Sequence, residues 1–220
     1  MTGDGLTNLT SDDVLQEIFR KILITIEGAR IKNKNVTPET LCEELAIPVA
    51  KTKYLIGIVV RRGEAKLNGT LRLTRKGRKT IKVGLIGGVF DIIHPGHIAT
   101  LEEAKQRCDL LVVVIAKDST VKRNKGKNSI NNEEERKRVV EAIKPVDAAI
   151  LGDDSDHTKP LIHVDPDLIF LGYDQKLPEK VSESKLNYDV ERIKIHIEGA
   201  NTSKMIEKIR ESTQPEGSVR

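Results

Sequence analysis

The alternation of apolar and polar positions changes character near residue 81. Before it, apolar residues recur at helical spacing. Val14, Leu15, Ile18, Phe19, Ile22, Leu23 and Ile26 share one 3.6-residue face behind the capping run Thr10-Ser11-Asp12-Asp13, and Gly28 is placed to end that helix. Thr37-Pro38-Glu39-Thr40 has the signals of a second helix start, with Leu41, Leu45 and Ile47 inward. Pro48 opens a third helix with Val49, Leu55, Ile58 and Val59 inward, ending near Arg62-Gly63. Ala65 to Leu73 then alternates around Asn68-Gly69, the pattern of a two-residue hairpin.

From Ile81 the pattern becomes short, nearly continuous apolar runs separated by helical stretches. Strands are expected at Val83–Ile86, Leu110–Ile115, Ala148–Leu151, Leu168–Leu171 and Ile193–Ile197. Helices are expected at about 96–107, 132–143, 158–163 and 202–211, with a further one near 181–190. Such alternation predicts an α/β unit whose five-stranded parallel sheet is covered on both faces. Ligands of such sheets bind beyond the strand C-termini, near the switch point. The distinctive stretches 87–97, 117–129, 172–178 and 199–204 all fall there. The tail from Ser212 reads as disordered.

Composition adds an asymmetry. The net charge of the 220 residues is only +4, but Lys51 to Lys82 holds eleven Lys or Arg against the single acid Glu64. Two units with different partners are implied, at 1–80 and 81–211, followed by the tail 212–220. No apolar run is long enough to cross a membrane, and the N-terminus lacks a signal-peptide pattern. A soluble cytoplasmic protein is expected. Cys42 and Cys108 stand apart from any Cys/His cluster, so buried thiols are expected rather than a disulfide or zinc site.

The candidate chemistry centres on Gly87-Gly88-Val89-Phe90-Asp91-Ile92-Ile93-His94-Pro95-Gly96-His97. Two glycines would let the backbone turn sharply after a buried strand. Pro95-Gly96 would start a helix whose free N–H groups and dipole suit a phosphate. His94 and His97 add donors that change charge near neutrality. A zinc reading of the two histidines lacks a third ligand nearby. Lys125-Gly126-Lys127-Asn128-Ser129 mimics part of a P-loop but lacks its earlier glycine and adjacent hydroxyl residue. Arg136 reads as a helix-surface residue, with a phosphate ligand as the alternative.

Two resemblances follow from these residues. Three helices and a basic hairpin, leaving through Leu73-Thr74-Arg75-Lys76-Gly77, resemble a winged helix-turn-helix domain. That would place Lys51 and Lys53 in the major groove of duplex DNA, and Arg72 and Arg75 near phosphates. Winged helices also serve as docking units, so the pattern indicates the fold better than the ligand. Gly88-Val89-Phe90-Asp91 followed by His94-Pro95-Gly96-His97 resembles the GTFD…HxGH signature of cytidylyltransferase-like nucleotidyltransferases. Gly199-Ala200-Asn201-Thr202-Ser203-Lys204 resembles their second signature.

Within that superfamily, Leu171-Gly172-Tyr173-Asp174-Gln175 and the lysine loop are most similar to archaeal FAD synthases. The resemblance implies a Rossmann-like nucleotidyltransferase domain that transfers AMP from ATP to FMN and releases pyrophosphate, with Mg2+ or another divalent ion. His94, His97 and Lys125 would be catalytic. Gly88, Val89, Phe90, Pro95, Gly96, Asp174, Asn201, Thr202 and Ser203 would bind nucleotide, and Asp91, Tyr173 and Gln175 the acceptor. Val89 stands where the signature has a hydroxyl residue, leaving only backbone donors there. A CTP-dependent enzyme acting on glycerol 3-phosphate or a similar phosphorylated alcohol is the neighbouring reading. A flavin- or nucleotide-responsive DNA-binding regulator is the reading from another class. A homodimer is expected.

Overall fold

The computed structural model of the chain describes residues 11–182, 184, 186–195, 197 and 205. The chain divides into two compact units, Met1–Lys82 and Val83–Arg220.

In the first unit, helix α1 (Ser11–Ile31) buries Phe19, Ile22, Leu23 and Ile26. It does not stop at Gly28, because Ala29 and Ile31 are buried too. Burying them outweighs the helix penalty of one glycine, roughly 1 kcal/mol. Asn33, at φ +55°, ends it, and the Lys34 N–H donates back to the Ala29 carbonyl at 2.8 Å. Helix α2 (Pro38–Leu45) starts at Thr37, which exchanges side chain-to-backbone bonds with Thr40. Helix α3 (Val49–Arg61) turns Thr52, Leu55, Ile56 and Val59 inward and leaves Val49 exposed, contrary to the expected face. Thr52 can take the inner position because its hydroxyl donates to the Ile47 and Pro48 carbonyls (3.1 and 3.2 Å).

The hairpin of β1 (Ala65–Asn68) and β2 (Thr70–Leu73) is present, but its register differs from the expected one. Asn68 pairs with Thr70 across Gly69 alone, which takes φ +73°. The preceding segment fixes this register. The Thr70 hydroxyl accepts from the Val36 N–H and donates to its carbonyl, both at 3.1 Å, while the Leu71 N–H reaches that carbonyl at 2.7 Å. A short helix α4 (Arg75–Arg78), capped by the Thr74 hydroxyl, follows.

The second unit is an α/β fold on five parallel strands: β3 (Val83–Gly88), β4 (Leu110–Ile115), β5 (Ala148–Leu151), β6 (Leu168–Leu171) and β7 (Asp189–Arg192). Their order is β5-β4-β3-β6-β7. Helix α5 (Pro95–Lys105) links β3 to β4, then α6 (Asp118–Lys125) and α7 (Glu133–Glu141) lead to β5. Helix α8 (Thr158–Val164) returns the chain to β6 on the other side of β3, and α9 (Glu179–Ser182) precedes β7. The switch point therefore lies where β3 and β6 end side by side. Aspartates hold the opposite ends of the strands. The Asp167 carboxylate accepts from the Val83 N–H at 2.7 Å, and Asp147 from the Leu111 N–H at 2.6 Å. Phe170, Leu111, Val113, Ile115 and Leu101 form the core around the sheet.

Four expectations are corrected here. The fifth strand is Asp189–Arg192, not Ile193–Ile197; as an edge strand it carries charge, which periodicity reads poorly. Ile193 is the buried residue that follows it, donating to the Leu171 carbonyl at 2.8 Å. The helix expected near 181–190 ends at Ser182 with α9, and Asp189 and Val190 belong to β7. Helix α6 occupies most of the stretch 117–129, where no helix was expected. The expected helix 202–211 and the tail 212–220 fall outside the described residues, except Met205. Both cysteines are free and half-buried rather than buried, and burial pushes the Cys108 thiol up to about 12.

Candidate functional site

The turn after β3 begins beyond its glycines, and its strain sits at Phe90. Gly87 and Gly88 remain in the strand, paired with Val114 and Ile115. Phe90 takes the left-handed conformation, at φ +52°, which for a non-glycine residue costs about 1–2 kcal/mol. Gly88 makes room for it, since a Cβ there would lie 2.6 Å from the Phe90 ring. Phe90 is buried and packs its ring on His97, centroids 5.0 Å apart.

His94 is the N-cap residue of α5, Pro95 its first helical residue, and His97 lies within the first turn. The two imidazoles stack at 3.8 Å. Each has a buried Nδ1 without a hydrogen-bond partner among the described residues. Burial lowers the pKa of His94. Burial, then the charges of His94 and Lys125, lower that of His97 to about 4. Two stacked imidazoles, both with lowered pKa, thus stand at the start of a helix, where the free N–H groups and the dipole favour an anion.

A pH dependence follows. The unfolded chain holds His97 near 6.5, so as pH falls from about 6.5 to about 4 the unfolded state takes up its proton first. Stability is lost through that window by about 1–2 kcal/mol, allowing for partial solvent screening of the ring. Denaturation of wild type and His97→Ala across this range is expected to give a flatter curve for the variant. Imidazole C–H resonances followed by NMR should show His97 unprotonated down to about pH 5; titration above pH 6 would contradict the burial argument.

The loops around the turn are fastened to it. The Asp91 carboxylate accepts from the N–H groups of Ile130 and Asn131, at 2.8 and 2.9 Å. Gln175 accepts from the Gly172 N–H at 2.9 Å and donates to the Gly87 carbonyl at 3.1 Å, tying the end of β6 to that of β3. Arg192 donates to the carbonyls of Gly172, Tyr173 and Gln175. The polar groups of Asp91 and Gln175 are thus engaged within the protein, and Tyr173 and Asp174 are exposed at the switch point. Lys125 is the last residue of α6, which Gly126 ends at φ +68°, rather than part of a loop. Its charge nonetheless reaches His97.

Arg136 is the residue that pattern reading misplaced. It is 1% exposed. It donates to the carbonyls of Asn131 (3.1 Å), Val89 (2.6 Å) and Ala116 (2.7 Å) and to the Asp118 carboxylate (2.7 Å). Its stripe was the available signal, because Val140, four residues on, is also fully buried.

Asn201, Thr202 and Ser203 lie outside the described residues. Among the described residues no group of three His, Cys, Asp or Glu side chains could hold a metal ion. No described helix is long and apolar enough to cross a membrane. In the first unit, Lys51 and Arg75 are exposed, Lys53 is 3.3 Å from Glu39, and Arg72 donates to Asn35 at 3.0 Å.

The cytidylyltransferase-like family model matches residues 85–213. A protein of Archaeoglobus profundus named FAD synthase is 50% identical over 129 residues, 56% of this chain and 82% of its own length. A FAD synthase of Archaeoglobus fulgidus is 46% identical over 131 residues, 56% of this chain and 94% of its own length. Among solved structures, one described as the lipopolysaccharide core biosynthesis protein of Thermoplasma volcanium is 43% identical, with a TM-score of 0.50. It aligns over 53% of this chain and 99% of its own.

Proposed function

This chain belongs to the cytidylyltransferase-like family and is a nucleotidyltransferase; from that premise we propose that it is an FAD synthase, transferring AMP from ATP to FMN. The reading is carried by the stacked pair His94 and His97, at a helix start beside the switch point, with each buried Nδ1 unpartnered among the described residues. The relatives named FAD synthase supply the nucleotide and the acceptor.

A phosphate oxygen of FMN forms a bond to the α-phosphorus of ATP. The bond from that phosphorus to the bridging oxygen breaks, and pyrophosphate leaves with the electron pair. The attacking oxygen is already ionised, so no base need deprotonate it. Catalysis reduces to alignment and to charge stabilisation on the bridging and equatorial oxygens. His94 and His97 donate to those oxygens, and a bound phosphate raises their affinity for a proton. The Phe90 N–H and that of Val89 cradle phosphate beside Gly88, Pro95 and Gly96. Lys125 acts as a point charge on the triphosphate, while Asn201, Thr202 and Ser203 hold its far end. Tyr173 and Asp174 face the ribose or the acceptor. Asp91 and Gln175 support these loops rather than touch the acceptor. The described side chains offer no metal cage, so Mg2+ would be carried by the phosphates and would offset their charge.

Supplying ATP, FMN and Mg2+ is expected to yield FAD and pyrophosphate in equal amounts. Inert FMN, with turnover of CTP and glycerol 3-phosphate, would replace this reading by the cytidylyltransferase one.

The first unit carries a second, separable proposal. A helix bundle with a basic hairpin fits a winged helix that meets duplex DNA, with exposed Lys51 and Arg75 on phosphates. Lys53 and Arg72 would first have to leave Glu39 and Asn35. Binding that weakens steeply with salt supports it, and no binding of the full chain at low salt sinks it.

A further inference from the structure

We propose that Arg136 is a positioning residue of this site: it fixes the Val89–Phe90 peptide so that the Phe90 N–H is presented to the nucleotide phosphate. The inference rests on the nucleotidyl-transfer reading above.

Val89 has no side-chain donor, so the turn must work through its backbone. A trans peptide is planar, with its C=O and N–H pointing in opposite directions. Arg136 Nη1 holds the Val89 carbonyl at 2.6 Å. The Phe90 N–H of the same peptide is therefore aimed away from Arg136 and its buried surroundings. The next residue is the strained one, with Phe90 at φ +52°. A left-handed non-glycine residue persists only where its surroundings impose it, and here the imposition can be named. Arg136 holds one end of the Val89-Phe90-Asp91 turn through Val89. At the other end, Asp91 accepts from the Ile130 and Asn131 N–H groups, and the Asn131 carbonyl accepts from Arg136 Nε. The remaining donor, Nη2, anchors the guanidinium to the end of β4 at Ala116 and to Asp118 at the start of α6.

The choice of arginine is physically specific. A buried cation is expensive unless it is paired and fully hydrogen-bonded. Here the Asp118 carboxylate and three carbonyls meet the requirement. Burial alone would raise the Asp118 carboxyl, but the bonds from Arg136, Ser129 and the Glu133 N–H hold it below the usual range. Only a planar fork with donors on three nitrogens reaches all four partners at once; a lysine ammonium in the same space reaches fewer. Arg136→Lys is thus the informative change, because it keeps the buried charge beside Asp118 and releases part of the fork.

Arg136→Lys is expected to stay folded and to lower kcat by about 100-fold, as a displaced donor does, with KM for ATP changed less than threefold. Amide NMR supplies a readout that stability alone would not move. Titrating inorganic pyrophosphate into wild type should shift the Phe90 N–H downfield, and the shift should be lost in Arg136→Lys. In Arg136→Ala, millimolar guanidinium chloride should restore activity at least tenfold, and methylammonium should not. Wild-type kcat in Arg136→Lys, or an intact Phe90 response alongside lost activity, overturns the inference. A wild-type chain that turns over no nucleotide overturns the functional reading itself, and this inference with it.

Discussion

His97→Ala is expected to lose about a thousandfold in kcat for AMP transfer while remaining folded. The magnitude follows from what the side chain does. Removing one pre-organised donor to a developing oxyanion costs about 10²–10³ in rate. His97 also supports its neighbour, stacking on His94 at 3.8 Å and packing on Phe90. Its loss removes one donor and loosens a second, which places the effect at the upper end of that range. The fold should tolerate the change, because the ring is only half-buried and makes no side-chain hydrogen bond among the described residues. Pyrophosphate release in the variant, against circular dichroism and melting of the same preparation, checks both halves. Retention of more than a tenth of the wild-type rate would remove His97 from the chemistry.

Gly88→Ala is the second large effect, and its neighbour is the control. An alanine Cβ at position 88 would lie 2.6 Å from Phe90 Cε2, whereas at position 87 the nearest atom is the Val114 carbonyl oxygen at 3.9 Å. Overpacking of this kind costs about 1–3 kcal/mol. The Phe90 ring cannot swing into solvent without abandoning a buried position, so it is driven against His97. Gly88→Ala should therefore lower both the melting temperature and kcat, the latter by about 100-fold through a displaced histidine. Gly87→Ala should leave both nearly unchanged. Equal effects at the two positions would show that strand flexibility, not space for Phe90, is what the glycines supply.

These cases show how far the chain could be read without its structure. The parallel sheet was legible because β3, β4 and β6 are buried on both faces, so their runs are nearly all apolar. The histidine pair was legible because a proline and a glycine mark the helix start beside it. The fifth strand was not, since an edge strand written Asp189-Val190-Glu191-Arg192 has only one weakly apolar side. Arg136 was not either. In the sequence it sits in a run of charges, and its burial is decided by Val89, Ala116 and Asp118, 47, 20 and 18 positions away. Asp91 and Gln175 carry a similar lesson: a polar side chain at a site can be consumed in holding the site's walls. The glycines were recognised for flexibility, yet the left-handed residue is Phe90 and the use of Gly88 is the space it leaves.

The strand order also imposes a timetable on the nascent chain. β3 meets β4 soon after both have been made, and β5 can add to that half of the sheet. The other side of β3 must wait for β6, because Gly84–Ile86 pair with Leu168–Phe170 more than eighty positions later. At about 5–20 residues per second of synthesis, the half-finished sheet keeps that side open for roughly 4–16 s. During that interval Val83 and Leu85, buried in the finished protein, lie along an unpaired strand edge. The same crossing that brings the two loops of the site together thus leaves the growing chain an unpaired apolar edge.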